Sequence, residues 1–233
     1  MLSPKLFPPR YAALALWMAG MCATALAAAA DDLQATFERM DRASATFKGL
    51  TADVTKVSHN AVLNEDDTFS GTMAVKHPKP HELRALVDIR QPDAKRVLLT
   101  GHQVEMYFPK TKTEQIIDLD KKGSAMVDQF LLLGFGSISA EIRKAYDVKF
   151  GGPETVAGQK TVRLVLTPKS PDVLAKLTKV ELWISDTLGI AVQQKFWEPG
   201  GDYELATYTN VKLCSPELKW DLPKGVQRQN LSK

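Results

Sequence analysis

Apolar and polar side chains alternate along most of this chain, and two stretches depart from that rhythm. Near the start, Leu33, Phe37, Met40 and Phe47 recur close to helical spacing, with Asp31 and Asp32 ahead of them and Gly49 behind. This pattern predicts a helix over Asp31–Lys48. Further on, Met126–Gly136 contains Phe130-Leu131-Leu132-Leu133-Gly134-Phe135-Gly136 without one polar side chain. A surface helix needs a polar face, and this run is too short to cross a bilayer. It must be covered on every side, or form half of a hydrophobic site whose other half sometimes leaves. A second helix is expected over Ser139–Tyr146.

Period-two patterning predicts strands at Thr51–Ser58, Phe69–Val75 and Glu82–Ile89, the last two joined by a turn at His77-Pro78-Lys79-Pro80. Lys95–Thr100, Gln103–Phe108 and Glu114–Leu119 read as two hairpins turning at Gly101-His102 and Pro109–Thr113. After the second helix come Asp147–Phe150, Thr155–Val156, Lys160–Thr167, Lys179–Ser185, Ile190–Trp197 and Tyr203–Leu213. Gly151-Gly152-Pro153, Gly158-Gln159, Gly189 and Gly200-Gly201 supply the turns between them. Short strands with turn chemistry between them are the pattern of a sandwich or barrel.

Taken literally, the alternation gives the sheet one apolar face. Phe69, Met73 and Val75 lie on it, as do Val104, Met106 and Phe108, and then Leu164, Leu166, Leu182, Ile184, Val192 and Phe196. Ser70, Thr72, Glu105, Arg163, Glu181, Gln193 and Lys195 fall on the other face. Two or three helices cannot cover that many strands, so the expected fold is mainly β: a half-open antiparallel β-barrel of about ten to eleven strands. An N-terminal helix and a helical lid would complete it. In this reading Phe130, Leu131, Leu132 and Phe135 of the apolar segment lie over the concave face and share in ligand binding. A helix that simply plugs an ordinary core fits the pattern equally well.

Residues 1–30 have the make-up of a signal peptide. Lys5 and Arg10 give a basic start, Tyr11–Leu26 is apolar, and small residues from Ala25 to Ala30 offer cleavage sites between about 27 and 30. Met21 stands before Cys22 where a lipoprotein signal needs a small residue, so export to the periplasm as a cleaved, unanchored chain is expected. Residues 31–233 then read as one domain, expected to be monomeric. Of the 30 basic residues two lie in the leader, leaving 28 against 27 acidic. A near-neutral surface gives no reason to expect nucleic acid as a partner. Cys214 is the one cysteine outside the leader; no internal disulfide can form, and the residue is expected to be a buried small side chain.

Catalytic patterns are missing. There is no G-x-S-x-G elbow, Gly134-x-Gly136 lacks the third glycine and the preceding strand of a dinucleotide site, and Gln159 interrupts Gly158-x-Lys160-Thr161 as a phosphate loop. His77 and His81 are four residues apart, but Pro78 and Pro80 forbid the helix that would align them on a metal. No enzyme activity, cofactor or metal is expected, and the reading turns to binding.

Several ordered motifs resemble a known family. Phe69-x-Gly71-x-Met73 running to Pro78, Val97-Leu98-Leu99-Thr100-Gly101, Met106-Tyr107-Phe108-Pro109 with Glu114-Gln115, and Glu181-Leu182-Trp183-Ile184 are similar to successive strands of the periplasmic outer-membrane lipoprotein carrier (LolA/LolB-like) family. Gln193-Gln194, Tyr208-Thr209-Asn210-Val211 and Leu222-Pro223-Lys224-Gly225-Val226 match further positions. The resemblance implies a half-open barrel whose interior takes lipoprotein acyl chains and carries them from an inner-membrane release complex to an outer-membrane acceptor. It also implies a lid gate at His77, where the family typically carries Arg. The alternatives are a carrier of another lipid or glycolipid, a lipoprotein-sensing regulatory domain, and an exported barrel whose apolar segment is simply core.

Overall fold

The computed structural model describes residues 32–79, 82–119 and 133–232. Helix α1 spans 32–46. It leads into β1 (Gly49–Asn60), β2 (Glu65–Lys79), β3 (Glu82–Gln91), β4 (Lys95–Thr100), β5 (Gln103–Phe108) and β6 (Thr113–Asp118). The second half holds α2 (Ser139–Ala145), β7 (Tyr146–Val156), β8 (Gln159–Pro168), α3 (Pro171–Leu174), β9 (Lys179–Ser185), β10 (Ala191–Trp197), β11 (Tyr203–Leu213) and β12 (Gln227–Asn230). All twelve strands belong to one open sheet in the order β12-β6-β5-β4-β3-β2-β1-β11-β10-β9-β8-β7. Every pairing is antiparallel except β12 with β6. This is the expected half-open, mainly-β architecture.

The apolar positions of these strands converge on one face because side chains directly opposite one another in an antiparallel pair point the same way. Leu50, Val75, Ala85, Leu99 and Val104 form one row running across β1 to β5. Ala52, Met73, Val87, Val97 and Met106 form the next. Over β7–β10 the same face is closed by α1 and α2: Phe37, Met40 and Ile142 pack on Leu164, Leu166, Leu182 and Ile184. Asp41 of α1 fixes the start of α2. It accepts from the Ser139 backbone N–H at 2.7 Å and from the Ser139 hydroxyl at 2.6 Å, a charged acceptor at a helix N-terminus.

Four sequence expectations need correction. β2 runs on through His77-Pro78-Lys79 instead of turning there. Its ladder with β3 shifts register between Lys76 and Lys79, which absorbs a proline that has no N–H to donate. Gly151-Gly152-Pro153 is likewise a bulge inside one strand, β7, rather than a turn between two. Val192 sits on the outer face with Val156 and Trp183, because a bulge between Ala191 and Gln193 inserts one residue into β10. Cys214, expected to be buried, is exposed; β11 ends at Leu213, and although the Cys214 N–H still donates to the Gly49 carbonyl at 3.1 Å its side chain is left uncovered. Rapid, stoichiometric labelling of Cys214 by a thiol reagent without denaturant is therefore expected, and slow labelling would contradict its exposure.

The outer face of β4–β6 is covered by the chain after β11. Arg96 donates to the carbonyls of Lys219 and Asp221 and stacks over the Trp220 ring, whose indole N–H donates to Glu114 at 2.9 Å. Arg228 reaches the other oxygen of fully buried Glu114 at 2.6 Å. Glu105 lies beside this cluster. Burial, then the Glu114 charge and a hydrogen bond to it, raise its carboxyl above the ordinary range, against the opposing pull of Arg228 and Trp220. The folded chain thus holds a proton here that the unfolded chain has released, so stability falls as pH rises from the ordinary carboxylate value through the raised one. Glu105→Gln is expected to flatten that stretch of the stability–pH curve and to stabilise the protein above it, read from denaturation midpoints across pH.

Candidate apolar binding site

Most of the residues singled out for the concave face do meet there, in three different settings. Leu164, Leu166, Leu182 and Ile184 are fully buried beneath α1 and α2. Met73 and Val75 are buried in a second cluster with Phe47, Leu50, Phe135 and Tyr208. Val104, Met106 and Phe108 on β5 are half-exposed, since α1 and α2 do not reach that end of the sheet. Phe69 is held between the ammonium groups of Lys56 (5.8 Å) and Lys95 (5.4 Å). Phe196 packs against the first cluster from its edge. Val192 points the other way. Phe130, Leu131 and Leu132 lie outside the described residues.

Residues 133–136 lie on the inner face and are bonded to it at several points. Gln194 donates to the Leu133 carbonyl, Ala191 N–H donates to Gly134 O at 2.9 Å, and Ser44 Oγ donates to Gly136 O at 2.5 Å. Close approach demands the two glycines. At φ +89° a Cβ on Gly134 would stand 2.6 Å from that of Ala191, and at φ +84° one on Gly136 would stand 2.9 Å from the Phe47 ring. Phe135, between them, is 2% exposed and meets Tyr208 edge-on at 5.1 Å. Tyr208 in turn donates to Gln194 Oε1 at 2.8 Å. Burial alone pushes its phenol above the ordinary tyrosine value, so it stays a neutral donor.

Beside this packing lies an open recess of about 460 Å³ lined by Met73, Phe135, Leu177, Phe196, Ala206 and Tyr208, with Gln194 at its side. Lys56, Lys176, Glu198 and Glu204 stand around its mouth. The sequence reading missed Leu177, Ala206, Gln194 and Tyr208. The signal for Gln194 was present: it lies two residues before Phe196, so the alternation that places Phe196 on the inner face places Gln194 there too. His77 occupies the opposite rim, where its backbone N–H donates to Lys48 O at 2.9 Å and its ring centroid lies 6.1 Å from that of Phe47.

Among the described residues no three His, Cys, Asp or Glu side chains come together as a metal site, and no helix is long and apolar enough to cross a membrane.

An open sheet with a helix-covered apolar hollow defines a fold class. MucB shares it with 13% identity and a TM-score of 0.51 over 86% of this chain; the chain spans 64% of MucB's length. An uncharacterised conserved protein from Thermus thermophilus shares it with 14% identity and a TM-score of 0.51, over 85% of this chain and 99% of that one. A LolA superfamily protein from Nitrosomonas europaea aligns at 15% identity and a TM-score of 0.37, over 80% and 94% of the two chains. No family model matches the sequence, and no curated protein matches it. The first two likenesses show the fold alone, a half-open sheet with few helices, as the sequence patterning implied.

Proposed function

We propose that this protein is a non-enzymatic periplasmic carrier that holds lipoprotein acyl chains on its concave apolar face and moves them from the inner to the outer membrane. One observation carries the reading: the apolar rows of the inner face continue past the helices onto β3–β5, where Val87, Val97, Val104 and Met106 are only half-covered. A sheet built solely for stability would set polar side chains at positions that the helices leave only partly covered. Each buried CH₂ contributes about 0.8 kcal/mol, so an acyl chain of ~16 carbons gains on the order of 10 kcal/mol in such a hollow. That is enough to offset much of the loss on leaving a bilayer. Loading by an inner-membrane complex and delivery to an outer-membrane acceptor belong to the proposal. So does a gating role for His77, whose replacement by Ala is expected to change the rate of chain uptake or release.

Native mass spectrometry of the protein taken gently from its own cell envelope tests the reading. An adduct with the mass of an acylated polypeptide supports it. A lipid-sized adduct favours transport of another lipid or glycolipid instead. A bare protein that also fails to bind an apolar dye would end both.

A further inference from the structure

We infer that the tip of the β1–β2 hairpin is a membrane-docking point: Val62 and Leu63 enter the head-group region of a zwitterionic bilayer and bring the mouth of the apolar recess to the lipid surface. The docking stands on the tip itself; that it serves the transfer of a chain rests on the carrier reading.

Val62 is 89% and Leu63 63% exposed, the two most exposed large apolar side chains among the described residues. Exposed aliphatic residues scattered singly need no explanation, but these two are adjacent and stand at the apex of a hairpin. The turn is braced. The Leu63 N–H donates to Asn60 Oδ1 at 2.9 Å and the Ala61 N–H donates to Asp202 at 2.7 Å. The turn between β10 and β11 packs on Ala61, whose Cβ lies 3.3 Å from where one on Gly201 would stand. Backbone donors already satisfied within the protein lower the cost of taking the turn out of water.

One residue behind the apex, the ladders set Asp66, His59, Tyr203, Trp197 and Lys179 in one row across β2, β1, β11, β10 and β9. The Tyr203 and Trp197 rings are 5.0 Å apart, and the Lys195 ammonium lies 3.5 Å and 3.9 Å from their centroids. Aliphatic side chains ahead of a belt of half-buried Trp, Tyr and Lys make an interfacial contact. The next row, on the opposite face, carries Ser58, Glu204 and Phe196, and the last two line the recess. Tip and mouth therefore share one end of the sheet.

Charge selects the lipid. Glu65, Asp66 and Asp67 are exposed beside the apex and Asp202 braces it, while residues 58–67 contain no Lys or Arg. An anionic bilayer repels this collar. Even a whole myristoyl chain binds a membrane only marginally and reversibly, so two aliphatic side chains give a transient contact that a shuttle can break.

Flotation of the protein purified from the cell envelope with phosphatidylcholine vesicles, and with vesicles rich in phosphatidylglycerol, tests this. The protein should float with the first. Val62→Asn/Leu63→Asn should weaken the apparent affinity about tenfold, with the denaturation midpoint and apolar-dye binding unchanged, since neither side chain lines the recess or belongs to a core. Leu213→Asn, at an exposed leucine at the far end of β11, should float like the parent. Phosphatidylglycerol should weaken binding at low salt, and high salt should restore it. Equal flotation of parent and double variant, no flotation of either, or tighter binding to the anionic vesicles would overturn the docking inference and leave the carrier reading standing. A parent protein that floats through its tip yet takes up no dye would remove the carrier reading and leave the docking point in place.

Discussion

Phe135→Ala is expected to lower the unfolding free energy by about 3–5 kcal/mol, the usual cost of truncating a buried phenylalanine. Phe135 fills the angle between Phe47, Met73, Ile190 and Tyr208, and Gly134 and Gly136 on either side fix its backbone against Ala191 and Phe47. Neighbouring groups cannot easily close over the gap. The void would open into the recess that Phe135 lines, so water could enter and the loss should fall towards the lower end of that range. The functional expectation runs the other way. If the recess holds an alkyl chain, the freed volume joins it, and binding of palmitate or an apolar dye should persist or tighten in the folded variant. Denaturant midpoints and dye titration separate the two effects. Loss of binding with the fold intact would make the Phe135 ring a wall the ligand needs rather than a filler of the empty site.

The half-open sheet was legible in the sequence because its strands alternate cleanly: β4, β5, β9 and β11 begin and end where patterning placed them. What the pattern could not locate were the bulges. Parity carries across a strand only while the ladder is regular, and one inserted residue at Val192 moved a fully buried apolar side chain to the outer face while Gln194 and Phe196 kept the inner one. The same blindness turned the Gly151-Gly152-Pro153 bulge into a turn. β12 was invisible for another reason. Gln-Arg-Gln-Asn carries no apolar signal, is exposed throughout, and pairs with β6 through its backbone and the Arg228–Glu114 ion pair. Of the site, the apolar rows were readable and the polar groups were not. Lys56, Lys176 and the Gln194–Tyr208 pair gain their roles from β1, β10, β11 and the loop after α3 meeting at one mouth.

Gln194→Leu is expected to destabilise the protein by about 2–4 kcal/mol, with most of the cost lying in the groups it strands. Gln194 is 3% exposed and serves two buried partners, donating to Leu133 O and accepting from Tyr208. A buried polar group left without a partner costs about 1–3 kcal/mol, whereas removing both members of a pair can be nearly neutral. Tyr208→Phe alone strands one lone pair on the Gln194 carbonyl and should cost less than Gln194→Leu. In the double variant only the Leu133 carbonyl remains stranded, so the combined loss should fall short of the sum of the single losses by about 1–2 kcal/mol. That coupling is the signature of a polar pair kept in an apolar wall to anchor the chain at Leu133. Gln194→Leu should also speed hydrogen exchange at the Ala191 N–H, which donates to the neighbouring Gly134 carbonyl, while Tyr208→Phe should leave it slow. Additive stability losses, or equal exchange in the two variants, would show that the carbonyls at 133–134 are held by packing around Phe135 instead.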